Sequence, residues 1–348
     1  MVRPCDVTEF LHGDLPMIDV RSPGEFARGH IPGAHSLPLF SDEERAVVGT
    51  LYKQKGREQA VLEGLRIVGP KLAGIVEQAR QVAPGGRIAV HCWRGGERSG
   101  SVAWLLDKAG FAEVVTLKKG YKAFRHHVLA SFTDPPRSIV LGGFTGSGKT
   151  DVLHALREQG EQVVDLEGLA NHRGSSFGAL GRPPQPTTEH FENLLWHALH
   201  RLDRTRITWI EDESMMIGRV KLPDALYDAI RRSRVVFLDV PKEQRADHLV
   251  AIYGGADRNG LAEAIQRIGK RLGPQHAKAA LEALDNDDLR SAALIALTYY
   301  DKTYAHGLAH RDPATVVRVS PQTTLPGTLA TEIRDIPSRP MRTEERTT

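Results

Sequence analysis

Two short stretches of this chain carry residues whose types and spacing can do chemistry. The first is His91-Cys92-Trp93-Arg94-Gly95-Gly96-Glu97-Arg98-Ser99-Gly100, a thiol followed by three glycines and two arginines. A glycine-rich loop that leads into a helix gathers backbone N–H groups around one point. There the positive end of the helix lowers a thiol's pKa and attracts an anion. Cys92 is therefore a candidate catalytic nucleophile, with Arg94 and Arg98 as partners for the anion. A free cysteine is also common as a small buried hydrophobe, but the glycines and arginines that follow favour the nucleophile. The second stretch is Gly143-Phe144-Thr145-Gly146-Ser147-Gly148-Lys149-Thr150, which matches the phosphate-cradling spacing G-x-x-x-x-G-K-[ST]. Gly143, Gly146, Ser147 and Gly148 let N–H groups close around a diphosphate. Lys149 adds a point charge, and the Thr150 hydroxyl can hold a Mg²⁺ ion.

Both stretches need a strand before them and a helix after them. The apolar run Ile88–Val90 reads as a buried strand feeding the cysteine loop, and Ser99–Leu106 as the following helix, with Val102, Ala103, Leu105 and Leu106 inward. Upstream, Pro16–Arg21 is a strand pattern that runs into Ser22-Pro23-Gly24-Glu25, the arrangement of a capping box, closed by Gly29. Residues 42–80 carry charged helical patterns, and Val114–Leu117 is a further strand. The segment after it holds Lys118, Lys119, Lys122 and Arg125 with Tyr121 and Phe124. It reads either as a face that tracks phosphates and stacks bases or as an ordinary helix packing through its aromatics. Thr133-Asp134-Pro135-Pro136-Arg137 is a proline-stiffened linker.

Beyond the linker, Ser138–Leu141 is the strand before the phosphate loop, and Gln162–Asp165, Ile207–Asp212 and Val235–Val240 fit further strands of a parallel sheet. Asp165, Glu211 and Asp212 stand at strand ends, where open α/β sheets bind ligands. They are candidates to hold a metal ion or orient its water, with helix capping as the plain alternative. His172, Arg173 and Ser175 lie in a polar, glycine-rich segment suited to closing over an anion. From residue 261 the spacing is helical, over 261–272, 276–284 and 288–304. The stripe Leu289, Ala292, Ala293, Ala296 and Leu297, like Tyr299, Tyr300 and Tyr304, reads as core packing, and Arg267, Lys270 and Arg271 form a small basic face. Val316–Val319 reads as a returning edge strand, and a polar, poorly ordered tail is expected from Thr331.

The expected fold class is α/β, with units at 1–133 and 137–260, a helical C-terminal part at 261–330 and a tail at 331–348. At 348 residues the chain is long enough for two domains. With 46 Lys and Arg against 43 Asp and Glu, its net charge of +3 neither requires nor excludes nucleic acid. Two cysteines cannot build a disulfide framework, so a reducing compartment is expected. No apolar run approaches the roughly 20 residues of a membrane span, and Met1–Cys5 lacks a signal-peptide core, so a cytoplasmic location without membrane association is expected. No metal-ligand spacing is present.

Together with the cysteine loop, Asp19-Val20-Arg21, Glu25-Phe26 and Gly29-His30-Ile31-Pro32-Gly33-Ala34 resemble the rhodanese-like domain, a sulfur-handling module. His91-Cys92, Gly95 and Arg98 also satisfy the cysteine-phosphatase pattern His-Cys-x-x-Gly-x-x-Arg. A phosphatase or sulfurtransferase fused to an NTPase is thus the alternative reading. The whole chain resembles the tRNA 2-selenouridine synthase family. The match runs through the cysteine loop, Gly120-Tyr121-Lys122, the phosphate loop, Ala170–Gly178, Glu211-Asp212-Glu213-Ser214, Ile217-Gly218 and Tyr299-Tyr300-Asp301, while Lys119 stands where a second glycine is expected and Lys302 where a proline is. The resemblance implies a selenotransferase that acts on the wobble 2-thiouridine of tRNA. It implies selenium from selenophosphate and an S-geranyl intermediate made from geranyl diphosphate, with no tightly bound cofactor. On that basis residues 143–150 are expected to bind geranyl diphosphate, and Cys92 either to carry selenium or to position it.

Overall fold

The protein is described by a computed structural model over residues 2–336. It divides into two compact units, one running to Ser131 and joined by Glu192–Leu194, the other comprising the remainder from Phe132.

The first unit contains β1 (Val2–Cys5), α1 (Val7–His12), β2 (Met17–Asp19), α2 (Pro23–Arg28), β3 (His35–Ser36), α3 (Asp42–Lys55), α4 (Arg57–Val68), α5 (Leu72–Val82), β4 (Arg87–His91), α6 (Glu97–Lys108), β5 (Glu113–Leu117) and α7 (Gly120–Ser131). Its sheet has the order β1-β5-β4-β2-β3, and every pairing is parallel. A parallel sheet covered on both faces needs continuous apolar strands, which is why Ile88-Ala89-Val90 reads without alternation. β4 lies at the centre, so the cysteine loop leaves from the middle of the sheet. The Ser22 N–H donates to Glu25 (3.1 Å), as the capping-box reading requires. In α7, Tyr121, Phe124 and Val128 are fully buried, so the aromatics pack and do not meet bases. Lys118, Lys119 and Lys122 remain exposed. Arg125 does not: it is mostly buried and ion-paired with Glu192, which corrects its expected place on a tRNA-facing surface.

The second unit contains β6 (Ser138–Gly143), α8 (Lys149–Glu158), β7 (Gln162–Val164), α9 (Leu166–Ala170), α10 (Thr188–His200), β8 (Thr208–Glu211), β9 (Met216–Ile217), β10 (Val220–Lys221), α11 (Asp224–Arg232), β11 (Arg234–Leu238), α12 (Lys242–Tyr253), α13 (Arg258–Leu272), α14 (Pro274–Asp285), α15 (Leu289–Ala309), β12 (Val316–Val319) and α16 (Pro326–Ile333). Five parallel strands run in the order β12-β11-β6-β8-β7. The helices α13 to α15 follow as expected, and the chain then rejoins the sheet as its edge strand β12, as Val316–Val319 was expected to do. The tail expected from Thr331 is corrected in part. Thr331–Ile333 complete α16, and Leu329, Ala330, Ile333 and Ile336 are buried in the core shared with α8. Those four apolar residues recur at helical spacing among polar neighbours and supply enough buried surface to order the segment. The rest of the expected tail, 337–348, lies outside the described residues.

Candidate active sites

In the first unit, β4 delivers His91 and Cys92 to the edge of the core, and residues 94–96 form the exposed rim above them. The Cys92 side chain is 3% exposed and belongs to the hydrophobic core with Val90, Val102 and Leu106. Its Sγ lies 3.2 Å from Ser99 Oγ in the first turn of α6. The β5–α7 turn clamps the loop, because Tyr121 N–H donates to Cys92 O (2.8 Å) and Lys122 N–H to Trp93 O (3.0 Å). That approach requires glycine at position 120, where φ is +58° and a Cβ would run into the Cys92 carbonyl.

Below the loop, Arg21 stacks on the Tyr121 ring at 3.7 Å and donates through Nη2 to Asp19 Oδ2 (2.6 Å) and Gly29 O (2.7 Å). This buried pair is the structural role of the Asp19-Val20-Arg21 run. His91 is fully buried beside it, and burial depresses its pKa to about 4 against the pull of Asp19. Arg94 is exposed on the rim. Arg98 differs from expectation. Its Nη1 donates to Glu25 Oε2 (2.6 Å) and its Nη2 to Glu25 Oε1 (3.3 Å), so a carboxylate occupies the guanidinium that was expected to hold an anion. The same pairing holds the Glu25 carboxyl below its ordinary range despite partial burial.

In the second unit, the phosphate loop joins β6 to α8 as its motif demands. Gly146 has φ +83°, and a Cβ there would sit 2.8 Å from Arg245 O, so the second glycine is required by both conformation and space. Lys149 Nζ donates to Gly143 O (2.9 Å). Gly143 N–H donates to the Tyr304 hydroxyl (3.1 Å), which itself donates to Asp212 Oδ2 (2.6 Å). Arg245 is buried and spans from Thr145 O (3.0 Å) to both oxygens of Asp301 (2.8 and 2.9 Å). Helix α15 thus grips the phosphate loop at two points, through Tyr304 and Asp301.

Of the three expected acids, only Glu211 reaches Thr150. The Thr150 hydroxyl lies 3.2 Å from Glu211 Oε1 and 3.0 Å from Glu167 Oε2, and Glu167 N–H donates to Glu211 Oε2 (2.9 Å). Glu213 shares a hydrogen bond with Glu167. Burial pushes all three carboxyls above the ordinary range, and Glu167 raises the other two further by repulsion. Asp165 instead caps α9 by accepting from Gly168 N–H (2.6 Å), and it meets His154 at 2.8 Å. Asp212 is held by Arg311 and Tyr304. Neither points at Thr150: Asp165 turns to a helix start, and Asp212, which lines the cavity over the phosphate loop, turns to Arg311 and Tyr304. Glu167 and Glu213 carry no local signal of this role, although Glu213 lies in the run Glu211-Asp212-Glu213-Ser214. Among the described residues, no group of three or more His, Cys, Asp or Glu encloses a metal ion unaided.

A polar cavity of about 660 Å³ lies over the phosphate loop, lined by Lys149, Thr150, Glu167, Arg173, Ser175 and Arg182 among others. Arg173 and Ser175 line this cavity, and Arg173 lies 5.5 Å over the Tyr253 ring. His172 does not. It is buried against the positions of Gly178 and Gly218, and burial lowers its pKa, which makes it a packing residue of the loop. A second, apolar cavity adjoins the first and shares Thr145, Ser175, Leu249, Tyr253 and Tyr300 with it. Its walls are the Leu, Ile and Ala faces of α13 and α15, so the alanine stripe of α15 read as core packing borders an open space.

Residues 6–127 match the family described as the rhodanese-like domain, and residues 136–329 match the one described as the tRNA 2-selenouridine synthase AAA domain. A sulfur-handling α/β module followed by a phosphate-loop module is the class that fold and sites define. The chain is 39% identical over 313 residues to the tRNA 2-selenouridine synthase of Sulfurovum sp. (strain NBC37-1), covering 82% of this chain and 83% of that one. It is 32% identical over 363 residues to that of Nitrosomonas europaea, with 88% and 92% covered, and 38% identical over 298 residues to that of Hydrogenovibrio crunogenus, with 78% and 80% covered. The chain belongs to the tRNA 2-selenouridine synthase family.

Proposed function

We propose that this enzyme replaces the sulfur of a wobble 2-thiouridine in tRNA with selenium in two steps. The second unit alkylates the sulfur with geranyl diphosphate, and the first delivers selenium from selenophosphate. The observation that carries this reading is the apolar cavity opening beside the phosphate loop, a pairing that suits a ligand with a diphosphate head and a hydrocarbon tail. A nucleobase in the same space would leave its ring nitrogens and exocyclic groups facing leucine, isoleucine and alanine side chains, without partners.

In the first step the C1–O bond of the allylic diphosphate breaks, and its electron pair stays with the diphosphate. The sulfur lone pair forms the new C1–S bond, and the N3 proton of the base is released. Lys149 and the loop N–H groups of Gly146, Gly148, Lys149 and Thr150 hold the departing charge. A Mg²⁺ ion accompanying the diphosphate would find hard oxygen donors in Thr150, Glu167 and Glu211, a set that fits an ion bound by one or two carboxylates plus phosphate.

Alkylation turns a poor leaving group into a thiol. In the second step selenium adds to C2, geranyl thiol departs with the proton, and water cleaves the P–Se bond to leave phosphate and the selenocarbonyl. The exposed rim supports first contact of the anion with Arg94 and the loop N–H groups. Cys92 Sγ, covered in the resting loop, positions selenophosphate for this attack once the rim shifts. Lys118, Lys119 and Lys122 beside the loop suit contacts with tRNA phosphates. The engagement of Arg98 by Glu25 supports this reading over a cysteine phosphatase, in which that arginine must clasp the phosphate. Substrate and chemistry fit a cytoplasmic enzyme, and no helix among the described residues is long and apolar enough to cross a membrane.

Mass spectrometry of nucleosides from 2-thiouridine tRNA tests the reading. Geranyl diphosphate alone is expected to give the S-geranyl nucleoside, and added selenophosphate the selenouridine. Lys149→Ala stops the first step, and Cys92→Ser only the second. Selenouridine formed without any geranylated species, in a reaction that requires ATP turnover, overturns it.

A further inference from the structure

We propose that α15 is the ruler that sets how long a hydrocarbon chain the enzyme accepts, with Ala292, Ala293 and Leu289 at the far end of the measured space. The inference rests on the prenyl diphosphate reading and adds the residues that choose among such substrates.

One face of α15 runs from the phosphate loop to the end of the apolar cavity. Tyr304 bonds Gly143 N–H, and Tyr300 stands at the mouth shared by the two cavities. Ala296, Ala293, Ala292 and Leu289 line the apolar one. At a rise of 1.5 Å per residue, Ala293 lies roughly 10 Å along the axis from Tyr300, and Leu289 roughly 16 Å. An extended chain of two isoprene units that starts at the mouth therefore ends beside Ala293 and Ala292, while a third unit runs into Leu289 and, from α14, Leu284. The alanines leave the space open, and the two leucines close it.

The volume agrees. The apolar cavity measures about 60 Å³. At about 10–15 Å³ for each water-sized sphere, that is room for roughly four to six, close to the bulk of one isoprene unit. The terminal unit of a ten-carbon chain fills it, and the unit next to the diphosphate lies in the shared mouth. A five-carbon chain leaves the end empty, and a fifteen-carbon chain does not fit.

The test gives full-length protein and 2-thiouridine tRNA an equimolar mixture of dimethylallyl, geranyl and farnesyl diphosphates and measures the three S-prenyl nucleosides by mass. The native chain is expected to favour the ten-carbon product. Ala293→Leu is expected to shift the ratio of ten- to five-carbon product at least about ten-fold toward five, since even one methylene in an apolar pocket discriminates by that much. Leu289→Ala is expected to raise the fifteen-carbon share by a similar factor. It is the second arm should Ala293→Leu fail to fold. If native protein transfers the ten-carbon group and folded variants keep its preference, or lose all three activities in proportion, the ruler is overturned and the prenyl reading stands. If native protein transfers none of the three, both fall.

Discussion

The guanidinium of Arg98 lies 2.6 Å from Glu25 Oε2 across the mouth of the cysteine loop, and that same carboxylate oxygen accepts the Ser22 N–H that starts α2. One acid thus closes a helix start and restrains an arginine of the cysteine loop. A partly exposed ion pair of this kind contributes about 1 kcal/mol, so freeing Arg98 is expected to tighten an incoming anion about five-fold. On the proposed reading, Glu25→Gln should lower the KM for selenophosphate by that factor and leave the melting temperature nearly unchanged, because the amide carbonyl still accepts the Ser22 N–H. An unchanged KM would place Arg98 away from the path of the anion.

The thiol beneath that loop should react slowly. Cys92 is 3% exposed and hydrogen bonded to Ser99, so a reagent reaches it only when the loop opens. Alkylation by iodoacetamide, followed by peptide mapping to separate it from Cys5, is expected to be on the order of 100-fold slower than for a free thiol, the protection that an opening free energy of about 3 kcal/mol gives. Reaction at the rate of an unprotected cysteine would show that the loop stands open in solution.

Lys119 offers a gain in stability. It has φ +60°, in the left-handed region that a lysine adopts at a cost and glycine adopts freely, and Gly120 follows with φ +58°. The departure noted in the sequence, lysine where a second glycine is expected, therefore falls on a residue whose backbone asks for glycine. Lys119→Gly should raise unfolding free energy by about 1 kcal/mol, measured by urea denaturation. If Lys119 meets tRNA phosphate, the same substitution weakens tRNA binding while protecting the fold, and a salt titration of tRNA binding separates the two effects.

What the sequence made legible was whatever a local pattern dictates. The phosphate loop, the capping box at Ser22 and the parallel strands follow from spacing within a dozen residues, because the backbone there has few alternatives. The candidate sites were legible only where such patterns place them. Asp165 and Glu167 are two residues apart and both acidic, and nothing local tells which one caps α9 and which turns to Thr150; that depends on where β7 stops. The apolar cavity is assembled from positions as distant as Thr145, Tyr253 and Tyr300, so the alanines of α15 could be read as helix-facing apolar residues but not as the wall of a space. Arg98 and Glu25, 73 residues apart, show the same limit: each had a local role, and their pairing is a property of the fold.

His91 should make the first unit sensitive to mild acid. It is fully buried, and burial above all lowers its folded pKa to about 4, with Arg21 adding to the effect and Asp19 opposing it. In the unfolded chain it titrates near 6.5. Above that value neither state binds the proton and the group contributes nothing. As pH falls below 6.5 the unfolded chain takes up a proton that the folded chain refuses until about pH 4, so stability is lost across this window. Between pH 7.5 and pH 5 the loss from this one residue is about 2 kcal/mol. The buried acids around Thr150, whose carboxyls are raised, act in the opposite sense in the other unit, so the measurement must isolate the histidine. Hydrogen exchange at the β4 amides of full-length protein, compared with His91→Phe, does so. The native chain should lose protection on moving from pH 7.5 to pH 5, after correction for the intrinsic exchange rate, while the variant stays flat over the same range. Equal slopes would mean that His91 takes up its proton in the folded state, with Asp19 stabilising the imidazolium more than burial opposes it.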